Sequence, residues 1–267
     1  MMRSAMLNVR IFFDGALLSY IALFRWLRPI TYLASKVVAP LSYMLFFVFL
    51  GKFATGGKDT SFYVIGNAVQ MAAGSGIFGV TMSISGDRWD GTLPYLFATP
   101  ANRLMLFVGR AFIHVIDGMF GVLLGFFWGV VLLGLDITNT NPAALLLTIL
   151  ITTFSTSGMG LFLGCLSLIT RNVMFVNNTV FFSLLLFSGA NVEIATLPAW
   201  MQSVSQGLPL TRGIAAARTI IAGGDLAEVM PLLQMEVLIG VIYIFIGYSM
   251  FRWFEFQAKK RGTLEAI

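Results

Sequence analysis

GDRWDGTLPYLFATPANRLMLFVGR, residues 86–110, is a polar and aromatic island between two long apolar runs. Three arginines (Arg88, Arg103, Arg110) and two aspartates (Asp87, Asp90) flank a short segment, Thr92 to Thr99. That segment reads as an amphipathic helix on a membrane surface, with Leu93, Leu96 and Phe97 turned one way. It is placed to be pushed by something outside the bilayer.

Composition makes the bilayer the solvent. Of 267 residues, 58% are hydrophobic and 11% charged, and the mean hydropathy is +0.87. A soluble domain of that composition would expose too much apolar surface, so the chain reads as a polytopic membrane protein. The net charge of +5 reflects topology rather than nucleic-acid binding, because the basic residues are spread over loop ends instead of forming a patch with interleaved aromatics. The single cysteine, Cys165, excludes an intramolecular disulfide and lies in an apolar run, a poor setting for thiol or metal chemistry. One histidine, with no HExxH, CxxC or GxSxG, gives no metal site and no hydrolase centre. Gly51 to Lys58, GKFATGGK, lacks the Ser or Thr that follows the lysine of a nucleotide-binding loop. No catalytic residue is assigned, and ATP hydrolysis is not expected of this chain.

Working outward, uncharged runs of about 20 residues, the length that crosses a hydrocarbon core of about 30 Å, predict six spans. They are 34–53, 62–85, 104–135, 142–169, 173–192 and 229–251. Short connections imply one bundle over 1–267 without a separate soluble domain. Lys36 and Lys52 lie at the ends of the first span, where they can snorkel. Residues 10–28 read as an amphipathic helix in the interface, with Phe13, Leu17, Tyr20, Phe24 and Leu27 on one side and Arg10, Asp14, Arg25 and Arg28 on another. Asp14 interrupts the apolar stretch and no small-residue cleavage site follows, so the segment is expected to be retained. The alternative is a solvated leader before the first span.

With both termini cytoplasmic, thirteen of the 17 basic residues lie inside, and only Lys52, Lys58, Arg212 and Arg218 lie outside. The 86–103 island is then cytoplasmic. Residues 193–226 contain an uncharged run, but Pro198, Gln202, Gln206, Gly207 and Pro209 suit a lipid-facing helix poorly. They predict a pair of short helices dipping into the outer leaflet, the alternative being a seventh span.

Arg110, His114 and Asp117 share one face of the third span by their spacing. A charge at the bilayer centre costs about 2.5–3.5 kcal/mol, so Asp117 needs a partner, and His114 and Arg110 are the nearest in sequence. Either a structural ladder or a proton or substrate path fits this pattern. Glu236 in the sixth span poses the same choice. Asn67 and Gln70, with Gly74, Gly76 and Gly79, give the second span a polar, small-residue face suited to close packing or to lining a pathway.

Several motifs in order resemble one family. Asp87, Arg88, the GTL of Gly91, Thr92 and Leu93, Leu96, then Ala98, Thr99, Pro100 and Arg103 look like the cytoplasmic motif of type-2 permeases of ATP-binding-cassette exporters. SGA at 188–190, LPAW at 197–200 and LPLTRGIAAAR at 208–218 resemble the stretch before that family's last span, including Pro198, Trp200, Pro209, Arg212 and Arg218. Asp87 and Pro94 stand where members often carry Glu, and the LPLT form is closer to lipo-oligosaccharide exporters. A second GTLE at 262–265 has no span after it and reads as coincidence.

The resemblance implies an all-α multi-pass protein of the plasma (inner) membrane, with the interfacial N-terminal helix, a cytoplasmic coupling helix at 86–103 and outer re-entrant helices at 193–226 that close the exit. It implies a separate ATPase subunit holding ATP and Mg, and a second permease chain in a homodimer or heterodimer. The implied cargo is a drug, antibiotic, lipid or lipid-linked glycan, with polysaccharide export as an alternative. A structural or sensor partner of an ATPase is the alternative outside transport. An importer is disfavoured, as no EAA-type loop is found.

Overall fold

The computed structural model describes residues 10–18, 20–21, 28–57, 60–99, 102–168, 170 and 172–261. Phe24, Arg25 and Leu27 of the N-terminal face, Lys58, Pro100, and the GTLE at 262–265 lie outside the described residues. Among those described, all regular structure is helical. Helix α1 comprises residues 10–18 and 20–21. Helix α2 begins as Pro29–Leu33, widens into a π-helical stretch at Ala34–Val38 and continues as Ala39–Ala54. Helix α3, Thr60–Trp89, contains a second π-helical stretch at Gly74–Gly79. Then come α4 (Leu93–Ala98), α5 (Arg103–Leu133), α6 (Pro142–Ser167) and α7 (Val173–Phe187). After a 3₁₀ turn at Ile194–Thr196 follow α8 (Ala199–Gly207), α9 (Thr211–Ile221) and α10 (Leu226–Arg261).

Local chemistry sets several ends. Asn102, Asn141 and Asn172 each turn a side-chain oxygen onto the first free N–H groups of α5, α6 and α7. Pro142 occupies the opening turn of α6, where its missing N–H costs nothing. Gly134, with φ of +67°, ends α5.

Among the described residues, five helices are long and apolar enough to cross a membrane: Ala34–Ala54, Thr60–Trp89, Arg103–Leu133, Pro142–Ser167 and Leu226–Lys260. The expected span at 173–192 is helical only to Phe187, and its 15 residues rise about 22 Å. The helix stops because Gly189 takes a left-handed φ of +83°. The bend is then held from outside, by Ser188 donating to Gln70 at 3.3 Å and Arg218 donating to the Gly189 carbonyl at 2.8 Å.

The arrangement inverts the usual apolar-inside rule, as a lipid-solvated bundle should. Helix α3, with the lowest hydropathy of the five, is the most buried at 83% of its core window, whereas the more apolar α2 is 17% buried. Helix α6 is central: α10 follows most of its length, α3 and α5 pack on it elsewhere, and α9 fills the corner between α6, α10 and α3. Glycines bring the backbones together. A Cβ on Gly158 would lie 2.6 Å from the Gly240 carbonyl, and one on Gly160 would fall on the carbonyl of Gly76.

The described turns of α1 run lengthwise beside α5 rather than flat across it. Phe12 lies against Gly109, and eight residues later Tyr20 reaches Asp117, eight residues further along α5. The contact is made by Phe12 and Phe13 with Phe112, at ring separations of 5.3 and 5.7 Å. Arg10 and Asp14 form an exposed ion pair, and Phe13 and Leu17 remain about half exposed.

The run from Ile194 to Thr211 is not one helix. It breaks at 208–210, so the single seventh span weighed above is absent. Nine and eleven residues give α8 and α9 rises of about 14 and 17 Å, each too short to cross the bilayer.

Candidate functional site

At one end of the bundle the chain turns through Asp90 and Gly91, where Gly91 takes a φ of +66° that most side chains would resist. Six residues of α4 follow. Leu93 and Phe97 are buried and Leu96 is half-buried, packed against Phe107 of α5 and Phe251 of α10. The Phe97 and Phe251 rings lie 5.7 Å apart. The opposite side presents Trp89 and Tyr95, exposed by 60% and 75%. An exposed indole at the end of α3 and an exposed phenol on the short, firmly seated α4 form a surface that another protein can grip.

Four of the island's five charged residues face inward and hold this helix in place, while Asp90 is exposed. Asp87 pairs with Arg110 at 2.5 Å and accepts from the Thr92 hydroxyl at 3.2 Å. Arg110 also donates to the Ser83 carbonyl at 2.7 Å. Arg88 donates to the carbonyls of Ser167, Leu168 and Thr170 at 3.1–3.3 Å, which satisfies the C-terminal end of α6. Arg103 donates to the carbonyls of Phe97 and Thr99, at 2.9 and 2.8 Å, and to Glu255 of α10 at 3.0 Å. Glu255 also receives Arg252 and Lys259. Replacing Glu255 with Leu leaves Arg103, 10% exposed at its side chain, without its carboxylate. A loss of about 2–3 kcal/mol is expected, read as a lower melting temperature in detergent, while Arg252→Ala at the exposed partner changes little.

Near the middle of α5 the structure assigns partners that differ from those nearest in sequence. Arg110 is taken by Asp87, and Asp117 is bound instead by Lys36 of α2, Ser75 of α3 and Tyr20 of α1. Lys36 and Ser75 both sit within the π-helical stretches of α2 and α3, the kind of irregular turn often found at functional positions. His114 is fully buried beside the Tyr20 ring, 5.7 Å between centroids, and neither ring nitrogen has a hydrogen-bond partner among the described residues. Asn67 donates to Asn191 at 2.8 Å and Gln70 accepts from Ser188, so both amides tie α3 to the bend after α7.

Toward the opposite end Glu236, fully buried on α10, accepts the backbone N–H of Leu210 at 2.8 Å. Leu210 precedes α9 with φ of +75° and ψ of −34°, a conformation a bulky residue adopts only under constraint. One turn pair further, Tyr243 donates to the Gly207 carbonyl at 3.0 Å. Pro209 is buried, Pro198 begins α8, Trp200 is 62% exposed, and Arg212 donates to Gln206 at 2.9 Å. Arg218 donates to the carbonyls of Phe62 and Gly189, with its guanidinium 3.5 Å from the centre of the Phe62 ring. Of these residues only Arg218 and Phe62 line a cavity of about 730 Å³, together with Tyr63, Asp136, Asn191 and Glu193; Pro198, Trp200, Pro209, Arg212 and Glu236 lie outside its lining. Backbone and hydroxyl hydrogen bonds from Thr138 hold the Asp136 carboxyl below the usual range, so this rim stays anionic.

Lys36, Ser75, Tyr20, Glu255 and Leu210 were not singled out by sequence reasoning as site residues. Only Lys36 carried a usable signal, as a cation at the edge of a span.

Among the described residues, the all-helical structure with five membrane-capable helices defines a multi-pass membrane protein. Residues 15–222 match the ABC-2 type transporter family. The chain belongs to that family and is a permease subunit of an ABC exporter, working with an ATPase subunit. Comparison with curated proteins returned no match.

Proposed function

We propose that the chain is a six-crossing permease, with α7 as the short fifth crossing, which pairs with a second permease chain and exports a hydrophobic or amphipathic substrate across the plasma membrane. Both termini are cytoplasmic in this reading, and ATP and Mg sit on the partner subunit. The observation that carries it is α4: its apolar side is seated on α5 and α10, its ends are fastened by Asp87–Arg110 and Arg103–Glu255, and Trp89 and Tyr95 face outward. A helix held in that way transmits a push from an ATPase to α3 and α5 instead of yielding to it. The cavity, with aromatic, amide and charged groups beside the C-terminal half of α9, supports an exit for a cargo that has both polar and apolar parts.

The test is purification of the tagged chain in mild detergent, with identification of what accompanies it. An ATPase subunit is expected with the native chain and is expected to be lost with Tyr95→Arg and Trp89→Ala together, whose side chains support nothing internal. Retention of the ATPase by that variant would remove α4 from the interface. If the complex forms but no amphipathic compound stimulates its ATP hydrolysis, the non-transporting partner role takes precedence.

A further inference from the structure

Two π-helical stretches occur among the described residues, and each delivers a partner to the same carboxylate. Lys36 comes from Ala34–Val38 of α2 and Ser75 from Gly74–Gly79 of α3, both bound to Asp117 Oδ2. Tyr20 of α1 donates to Oδ1 at 3.0 Å, and Lys36 also reaches the Ser75 hydroxyl at 3.3 Å. Four helices therefore meet at one side chain. Asp117 is 8% exposed and Lys36 22% at their side chains. The site lies about 21 Å along α5, at a depth where an unpaired charge is costly.

Its neighbours give that junction a mechanical meaning. Helices α3 and α5 are the two arms joined by α4, whereas α2 is the most outward-facing of the long helices. An apolar helix surface does little to fix register in a bilayer, because lipid tails solvate it as well as a neighbouring helix does. A charge-assisted network in low dielectric is directional and short-ranged, so it does fix register. π-Turns inside α-helices are frequent at functional sites.

We propose that Asp117 is a positioning residue that carries displacement of the α3–α4–α5 hairpin to α2 and α1 during transport. This rests on the permease reading above.

The experiment uses the complex of the chain with its ATPase in lipid nanodiscs, spin-labelled on one permease copy. Labels at Phe46 of α2 and Phe245 of α10 report α2, and labels at Phe120 of α5 and Phe245 report α5; all three side chains are more than half exposed, and the native Cys165 is buried. Both distances are expected to change when ATP is trapped with vanadate. In Asp117→Asn the α5 change should persist while the α2 change is at least halved, and Tyr20→Phe and Ser75→Ala, which spare the ion pair, should give intermediate losses. Full α2 movement in Asp117→Asn, or in the uncharged pair Lys36→Met with Asp117→Asn, would overturn the proposal. Failure of every variant to assemble would overturn it too, by making the carboxylate a folding anchor. If neither distance changes in the native complex, the permease reading itself fails.

Discussion

Gly160→Leu is expected to eliminate folded protein. A Cβ at this position falls on the Gly76 carbonyl and 2.9 Å from the Val80 Cβ, and the facing Gly76 has its own closest approach to Thr156 and Ser157. Neither side has a flexible side chain to move, so α3 and α6 must separate along the seam that positions both ends of the transporter. Overpacking usually costs about 1–3 kcal/mol, and a backbone-to-backbone contact lies at or beyond the upper end of that range. The readout is the monodisperse fraction after detergent extraction. Gly74→Ala, in the same π-helical stretch but with nothing within 4 Å, should extract like the native chain. Equal behaviour of the two variants would mean that the seam is looser than its geometry indicates.

The second large effect is expected from Glu236→Leu. The shape is roughly kept, but the Leu210 N–H loses its acceptor in a fully buried site. A buried N–H left without its acceptor costs about 1–3 kcal/mol, and the positive φ of Leu210 is then free to relax. Amide exchange across α9 should accelerate by about tenfold to a hundredfold. Glu236→Gln keeps an acceptor oxygen and should show much less. Unchanged exchange in the leucine variant would mean that Ile214, Ala217 and Ile220, all fully buried, hold the hairpin alone.

What the sequence discloses here depends on range. Helix ends governed by local chemistry are legible: Asn141 before Pro142, or Gly134 after the last turn of α5. The break at 208–210 is also legible, because Gly207 and Pro209 exclude a continuous helix. Asp117 is legible as a problem but not as a solution. Its need for a partner follows from one residue in an apolar run, whereas its partners Lys36 and Ser75 lie in two π-turns far away in the chain, and nothing in ASKVV or GSGIFG announces those turns. Asp87 and Arg88 present a similar lesson. As exposed charges they would be contact residues, but the structure spends both on internal bonds, to Arg110 and to the carbonyl end of α6, and leaves the outward face to Trp89 and Tyr95. The short α7 could not be anticipated from hydropathy, since its apolar run continues past the bend at Ser188.

Helix α10 extends 36 residues, about 54 Å, well beyond the hydrocarbon core. Its tightest seam with α6 lies between Gly240 and Gly247. Treated as a rigid rod turning on that seam, it has an arm of about 17 Å to Glu255, which holds α4 through Arg103, and one of about 11 Å in the opposite direction to Glu236, which holds the α8–α9 hairpin. A tilt of about 10° therefore carries Glu255 by about 3 Å and Glu236 by about 2 Å in the opposite sense. That second displacement is comparable to the 2.8 Å reach of the Leu210 bond, so a rotation that follows a motion of the α4 clamp is of the size that opens the Glu236–Leu210 latch.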